Sequence, residues 1–119
     1  MTGADRITQE RIRQIEQERF GAEHDSQYTD GSLLQAADAY LTSAFCQVAY
    51  GTLSPDNTEI IKTVHWPGSW STEWFKPSTD PIRNLEKAGA LIAAEIDRFQ
   101  RLTVRLDKGT GDTQVSTQE

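Results

Sequence analysis

Cysteine is almost absent from this chain: Cys46 is the single one, so no internal disulfide can form. That fits a reducing compartment, and the cytoplasm of a host cell is the expected location. Histidine is equally scarce, with His24 and His65 as the only two. Together with one cysteine they make a closed zinc site of the usual nitrogen and sulfur type improbable. No apolar run approaches the roughly 20 residues that span a bilayer, so no membrane partner is expected. The N-terminus lacks the basic-then-apolar layout of a secretion signal. Positive charge is in deficit, with 12 Lys and Arg against 18 Asp and Glu and a formal charge of −6. Nonspecific nucleic-acid binding depends on Lys and Arg at phosphates, so it is not expected. Also missing are a nucleophile elbow, a phosphate-cradling glycine loop and an HExxH helix.

What remains is a chain of 119 residues, one domain's worth, with only 36% apolar residues. A domain this small and polar gains from burying further apolar surface, so a homo-oligomer is a possible partner state. The expected layout is a flexible lead-in over 1–7, a single helical domain over 8–106 and a disordered polar tail over 107–119. The fold class read from the pattern is mainly α, a small domain of about three helices with a Trp-rich irregular loop.

The clearest helix starts at Pro81, a residue suited to the first helical position, with Ser78, Thr79 or Asp80 as cap. Leu85, Leu91, Ile92, Ile96 and Phe99 recur at three- and four-residue spacing and define an apolar stripe to Arg101. That spacing predicts near-complete burial of Leu85, Ile92 and Ile96. A second helix spans Ser32–Tyr50 and stops at Gly51; its broad, alanine-rich apolar face suits a central position. A third runs from Thr8 as cap to Phe20, with Glu10, Arg11, Arg13, Glu16 and Glu18 on a face read as solvated. Residues 21–31 read as a polar loop. EIIKTVH over 59–65 is rich in β-branched residues and reads as a short extended segment. LTVRL over 102–106 either pairs with it or prolongs the last helix.

Trp66, Trp70 and Trp74 fall within WPGSWSTEWFKP, four apart and punctuated by Pro67, Gly68 and Pro77. Two readings stand: an aromatic flap over the end of the core, or a recognition surface of ring faces with Lys76 beside them. Arg83, in the first turn of the last helix, adds a second cation where free N–H groups already favour anions. His24, whose charge responds to small changes near neutral pH, completes the expected site. His24, Trp66, Trp70, Trp74, Lys76 and Arg83 share one end of the domain if the two main helices run parallel, which is the direction preferred here.

The segments ERIRQIEQERFG, AEHDSQYTDGSLLQAADAY, WPGSWSTEWFKP and RNLEKAGALIAAEIDR resemble those of a family of small, uncharacterised phage and prophage proteins. The likeness extends over about 9–101 and brings no catalytic chemistry with it. The family's usual glutamate after the glycine is Ser32 here, which removes a carboxylate at that position. The resemblance implies a mobile-element setting in which small proteins bind or sequester host components.

Catalysis is not expected. Helical nucleotide pyrophosphohydrolases pair ExxE and ExxD motifs to hold magnesium, whereas Glu16 and Glu18, or Glu95 and Asp97, are two apart and face different ways. No cofactor and no metal are implied. Two non-catalytic readings follow. The first is a protein–protein inhibitor or adaptor directed at a host protein, including a defence component. The alternative is a sponge for a nucleotide-type small ligand, held by aromatic faces with Lys76 or Arg83 at its phosphates.

Overall fold

The structure is a computed structural model, and it describes residues 1–18 and 21–110. Helices dominate, and no strand occurs among the described residues. The first, α1 (Gly3–Gln17), begins five residues before the expected start. The cause is a reciprocal capping box. The Thr2 hydroxyl accepts the Asp5 N–H at 3.1 Å, and the Asp5 carboxylate accepts the Thr2 N–H at 3.0 Å. Residues 3–7 are therefore helical, in place of a lead-in. The expected end at Phe20 lies outside the described residues.

A single turn, α2 (Ala22–Asp25), replaces the expected loop. The next helix, α3 (Ser32–Tyr50), has the bounds that its flanking glycines predict. Gly31 and Gly51 both adopt positive φ, at 85° and 83°, a region open to glycine at little cost. The Gly51 N–H closes the helix on the Gln47 carbonyl.

Residues 59–65 are not extended. Residues 59–64 belong to α4 (Pro55–Val64) and His65 is its C-cap; Ser54 accepts the Asn57 N–H at 3.0 Å and Pro55 fills the first position. A strong start signal prevails over the weak strand preference of Ile60, Ile61, Thr63 and Val64. The last helix, α5 (Pro81–Thr110), takes in LTVRL and the first residues of the expected tail. The rest of that tail, 111–119, lies outside the described residues.

α3 and α5 form the central pair, and they run antiparallel, against the preferred parallel reading. Gln47 near the end of α3 meets the start of α5: its side chain accepts from Asn84 Nδ2 at 2.9 Å and donates to the Ser78 carbonyl at 2.9 Å. At the other end Arg101 reaches Ser26, just before α3. The pair meets through small side chains, including Ala36, Ala37, Ala44, Ala88 and Ala94, all at most 3% exposed. Leu33, Tyr40 and Leu91 fill between them, and Ile61, Trp66 and Phe75 close the core from the side.

The large aliphatics of α5 are not in that core. Leu85, Ile92 and Ile96 are 44%, 41% and 53% exposed, which reverses the expected burial. α5 carries two parallel stripes one residue apart. Asn84, Ala88, Leu91, Glu95 and Arg98 form the one turned towards α3, and only one of these is a large hydrophobe. Its polar members are satisfied there: Asn84 by Gln47 and Ser78, and Glu95 by Arg98 at 2.6 Å.

Candidate functional site

α1 crosses α5 at Gly89, where the Ile7 side chain takes the space a Cβ would occupy. Past that crossing, the later turns of α1 stand off from the start of α5. The tryptophan segment closes the third side. Between them opens a cleft of about 440 Å³, floored by Tyr40 and Leu91.

The three tryptophans do three different jobs. Trp66 is 5% exposed and its Nε1 donates to the Ser71 carbonyl at 3.1 Å, so it belongs to the core. Trp74, on a short 3-10 turn (Thr72–Trp74), is 56% exposed and forms the lip. Trp70 is the wall between them. Its ring meets Trp66 at 5.4 Å, Trp74 at 5.9 Å and Tyr28 at 5.0 Å between centroids. Such tilted and edge contacts suit ring quadrupoles. Trp66 thus belongs to the core, while Trp70 and Trp74 stand at the cleft.

Lys76 sits at the rim, its backbone fixed twice. Its N–H donates to the Tyr40 hydroxyl at 3.1 Å, and its carbonyl accepts from Lys87 Nζ at 2.6 Å. Lys87 also lies over the Tyr40 ring at 5.2 Å, a cation–π contact. Burial, aided by repulsion from Arg83, lowers the Lys87 pKa from its ordinary value. Burial likewise raises that of the Tyr40 hydroxyl, although the Lys76 N–H opposes it.

Arg83 lines the cleft but is committed to carboxylates, Glu10 at 2.7 Å and Glu86 at 3.1 Å. Glu10 is the hub of the polar wall. It is 4% exposed, and it also takes both arms of Arg13 at 2.8 Å. Burial pushes its carboxyl pKa up, but hydrogen bonds from Arg13 and Arg83 outweigh this and hold it at about 2. The same hydrogen bonding with Glu10 raises Arg13.

His24 does not line the cleft. Its Nδ1 contacts Asp25 Oδ1 at 2.9 Å, and its ring lies 5.0 Å from Tyr28, which in turn meets Trp70. It stands one ring behind the wall. Asp25 beside it is fully buried and also receives Arg11 at 2.9 Å, tying α2 to α1. The structure thus gathers Trp66, Trp70, Trp74, Lys76 and Arg83 around one cavity and leaves His24 outside it.

Glu10, Arg13, Gln14 and Glu18 of α1 also line the cleft, on a face read from sequence as solvated. Their spacing of three and four placed them together; only the fold turns that face inward. Two buried polar atoms in the cleft walls have no hydrogen-bond partner, Gln14 Oε1 and Trp70 Nε1. One is an acceptor and the other a donor. Charge is reversed locally. Arg13, Lys76, Arg83 and Lys87 stand against Glu10 and Glu18, an excess of positive charge in a chain of net −6. Among the described residues no three His, Cys, Asp or Glu come close enough to hold a metal ion. The cleft can therefore offer a planar group ring faces and a cationic rim. Neither a family model, nor a curated protein, nor a solved structure matches this chain.

Proposed function

We propose that the protein is a non-catalytic binder whose cleft takes an anionic, planar small molecule of nucleotide type. The observation that carries this reading is the wall of Trp70 and Trp74 rings beside the cationic rim of Lys76, Arg83 and Lys87. A heterocyclic base stacks on indole faces. Phosphates suit the Lys76 ammonium and the local positive excess. Glu10 is already saturated by two arginines, which favours a scaffolding role for it over proton transfer.

Titration with nucleoside mono- and diphosphates and cyclic dinucleotides, read by tryptophan fluorescence and calorimetry, tests the reading. Saturable quenching is expected, weakened at least tenfold by Trp70→Ala, which removes the ring wall. Folded protein that takes up none of these ligands at millimolar concentration overturns it.

The second reading is an inhibitor or adaptor that engages a host protein, in the phage setting to which the sequence is similar. It is favoured by Trp74, which is 56% exposed at the lip, as an interface anchor would be. Capture of one host protein that Trp74→Ala abolishes, with no nucleotide bound, selects this reading.

A further inference from the structure

Most of the exposed large side chains of the central pair follow a rule, with Tyr50, Ile82 and Leu102 outside it. On α3, Leu34, Leu41, Phe45 and Val48 each come one residue after a buried position: Leu33, Tyr40, Ala44 and Gln47. On α5, Leu85, Ile92, Ile96 and Phe99 each follow Asn84, Leu91, Glu95 and Arg98, buried likewise. One residue is a turn of about 100° about the helix axis, always in the same sense along the chain. Because α3 and α5 are antiparallel, the same turn on each carries both stripes to the same side of the pair. The residues one step before the buried positions lie on the other side. There Ser32, Ala39, Ser43, Cys46 and Ala90 are covered, and Arg83 lines the cleft. The tryptophan segment and the polar wall of α1 thus share one side. The other side is two helices wide and largely bare, with Ile7 of α1 at Gly89 and His65 at Asp38 touching its edges.

We infer that a second copy of this chain lies on that face, joining the two α3–α5 pairs into a four-helix core with the clefts outward. The size of the face fits. With eight side chains 41–75% exposed, it amounts to roughly 750 Å² if a fully exposed large residue presents about 180 Å². That exceeds the ~300–600 Å² of the largest patch on a typical monomer and nears the ~800 Å² each partner gives a standard interface. The stripes hold no positive charge, and Asp38, paired with His65 at 2.5 Å, is their one acid, so no oppositely charged partner is selected. An antiparallel pair also has local two-fold symmetry, which lets an identical face lie on it isologously.

Sedimentation equilibrium of the full chain from 1 to 200 µM tests this directly. The expected result is a mass near twice 13.3 kDa at the upper end. Phe45→Glu and Ile96→Lys, each at an exposed position, are expected to return the mass to 13.3 kDa with the helical circular dichroism unchanged. Trp74→Ala, on the cleft side, is expected to keep the dimer. A wild-type chain that is monomeric throughout overturns the inference, and that result needs no variant to fold. So does a dimer that survives both charge substitutions, since it must use another face. The outcome is independent of ligand binding, because dimerisation is read without ligand.

Discussion

The two sides of the α3–α5 pair differ in a way that hydrophobicity alone does not anticipate. The covered side is lined by serines, alanines and one cysteine, with charged residues at its margin, yet the tryptophan segment and the polar wall of α1 are applied to it. The bare side holds the leucines, isoleucines and phenylalanine. Small side chains let backbones and ring systems approach closely, so a tight seam forms where the residues are least hydrophobic. Large side chains hold elements further apart and suit a surface that is covered later. The core of this protein is chosen by fit, and its greasiest stripes are held in reserve.

The largest expected effect is at the joint that holds the cover on. Asp25 is fully buried between Arg11 and His24. Asp25→Ala removes the buried partner of Arg11 and leaves it the exposed Asp97 at 3.7 Å, and urea unfolding is expected to show a loss of about 4 kcal/mol. If the loss is below 1 kcal/mol, the covered side does not depend on this joint.

Next come two adjacent leucines that face the two ways. Leu33 is 1% exposed and Leu34 is 47% exposed. Leu33→Ala is expected to cost about 3 kcal/mol. Leu34→Ala, measured on dilute monomer, is expected to cost about 0.5 kcal/mol. Equal costs would erase the distinction between the sides.

The smallest effect is on the polar wall and depends on pH. The Glu10 carboxyl is depressed to about 2 in the folded chain, below the 4.5 of a free glutamate. A depressed acid stabilises fully above its unfolded pKa and loses that contribution as pH falls through the folded one. Unfolding free energy is thus expected to drop between about pH 5 and 2. With Arg13 and Arg83 both 31% exposed, the screened size is on the order of 1–2 kcal/mol. In Glu10→Gln this part of the acid sensitivity is expected to vanish. A variant that tracks the wild type over that range would show the wall to be electrostatically neutral to folding.

Legibility from sequence followed the range of the forces involved. α3 was readable in its bounds because its apolar face is long and Gly51 stops it locally, although its cap is Gly31 and not Asp30 or Ser32 as the residue types suggest. The start of α1 was missed because Thr2 and Asp5 make a capping box with no apolar residue between them to mark it. α4 was misread because β-branched residues outnumber its cap, though the cap decides. On α5 the period was right and the face was wrong: periodicity finds a stripe but cannot say which partner covers it. Five cleft residues were legible by type, as aromatics and cations close together in the chain. Glu10 and Gln14 were not, since a charged helix face becomes a cavity wall only when a distant segment closes over it.

Gly89 has a consequence for how this cleft can change. A Cβ there would stand 2.6 Å from Ile7 Cδ1 and 2.7 Å from its Cγ1, so the Ile7 side chain must move to admit any larger residue. Three to seven residues further along that same helix stand Glu10, Arg13 and Gln14. Position 89 is therefore a point from which the helix carrying one cleft wall is pressed by a residue that never touches the cavity.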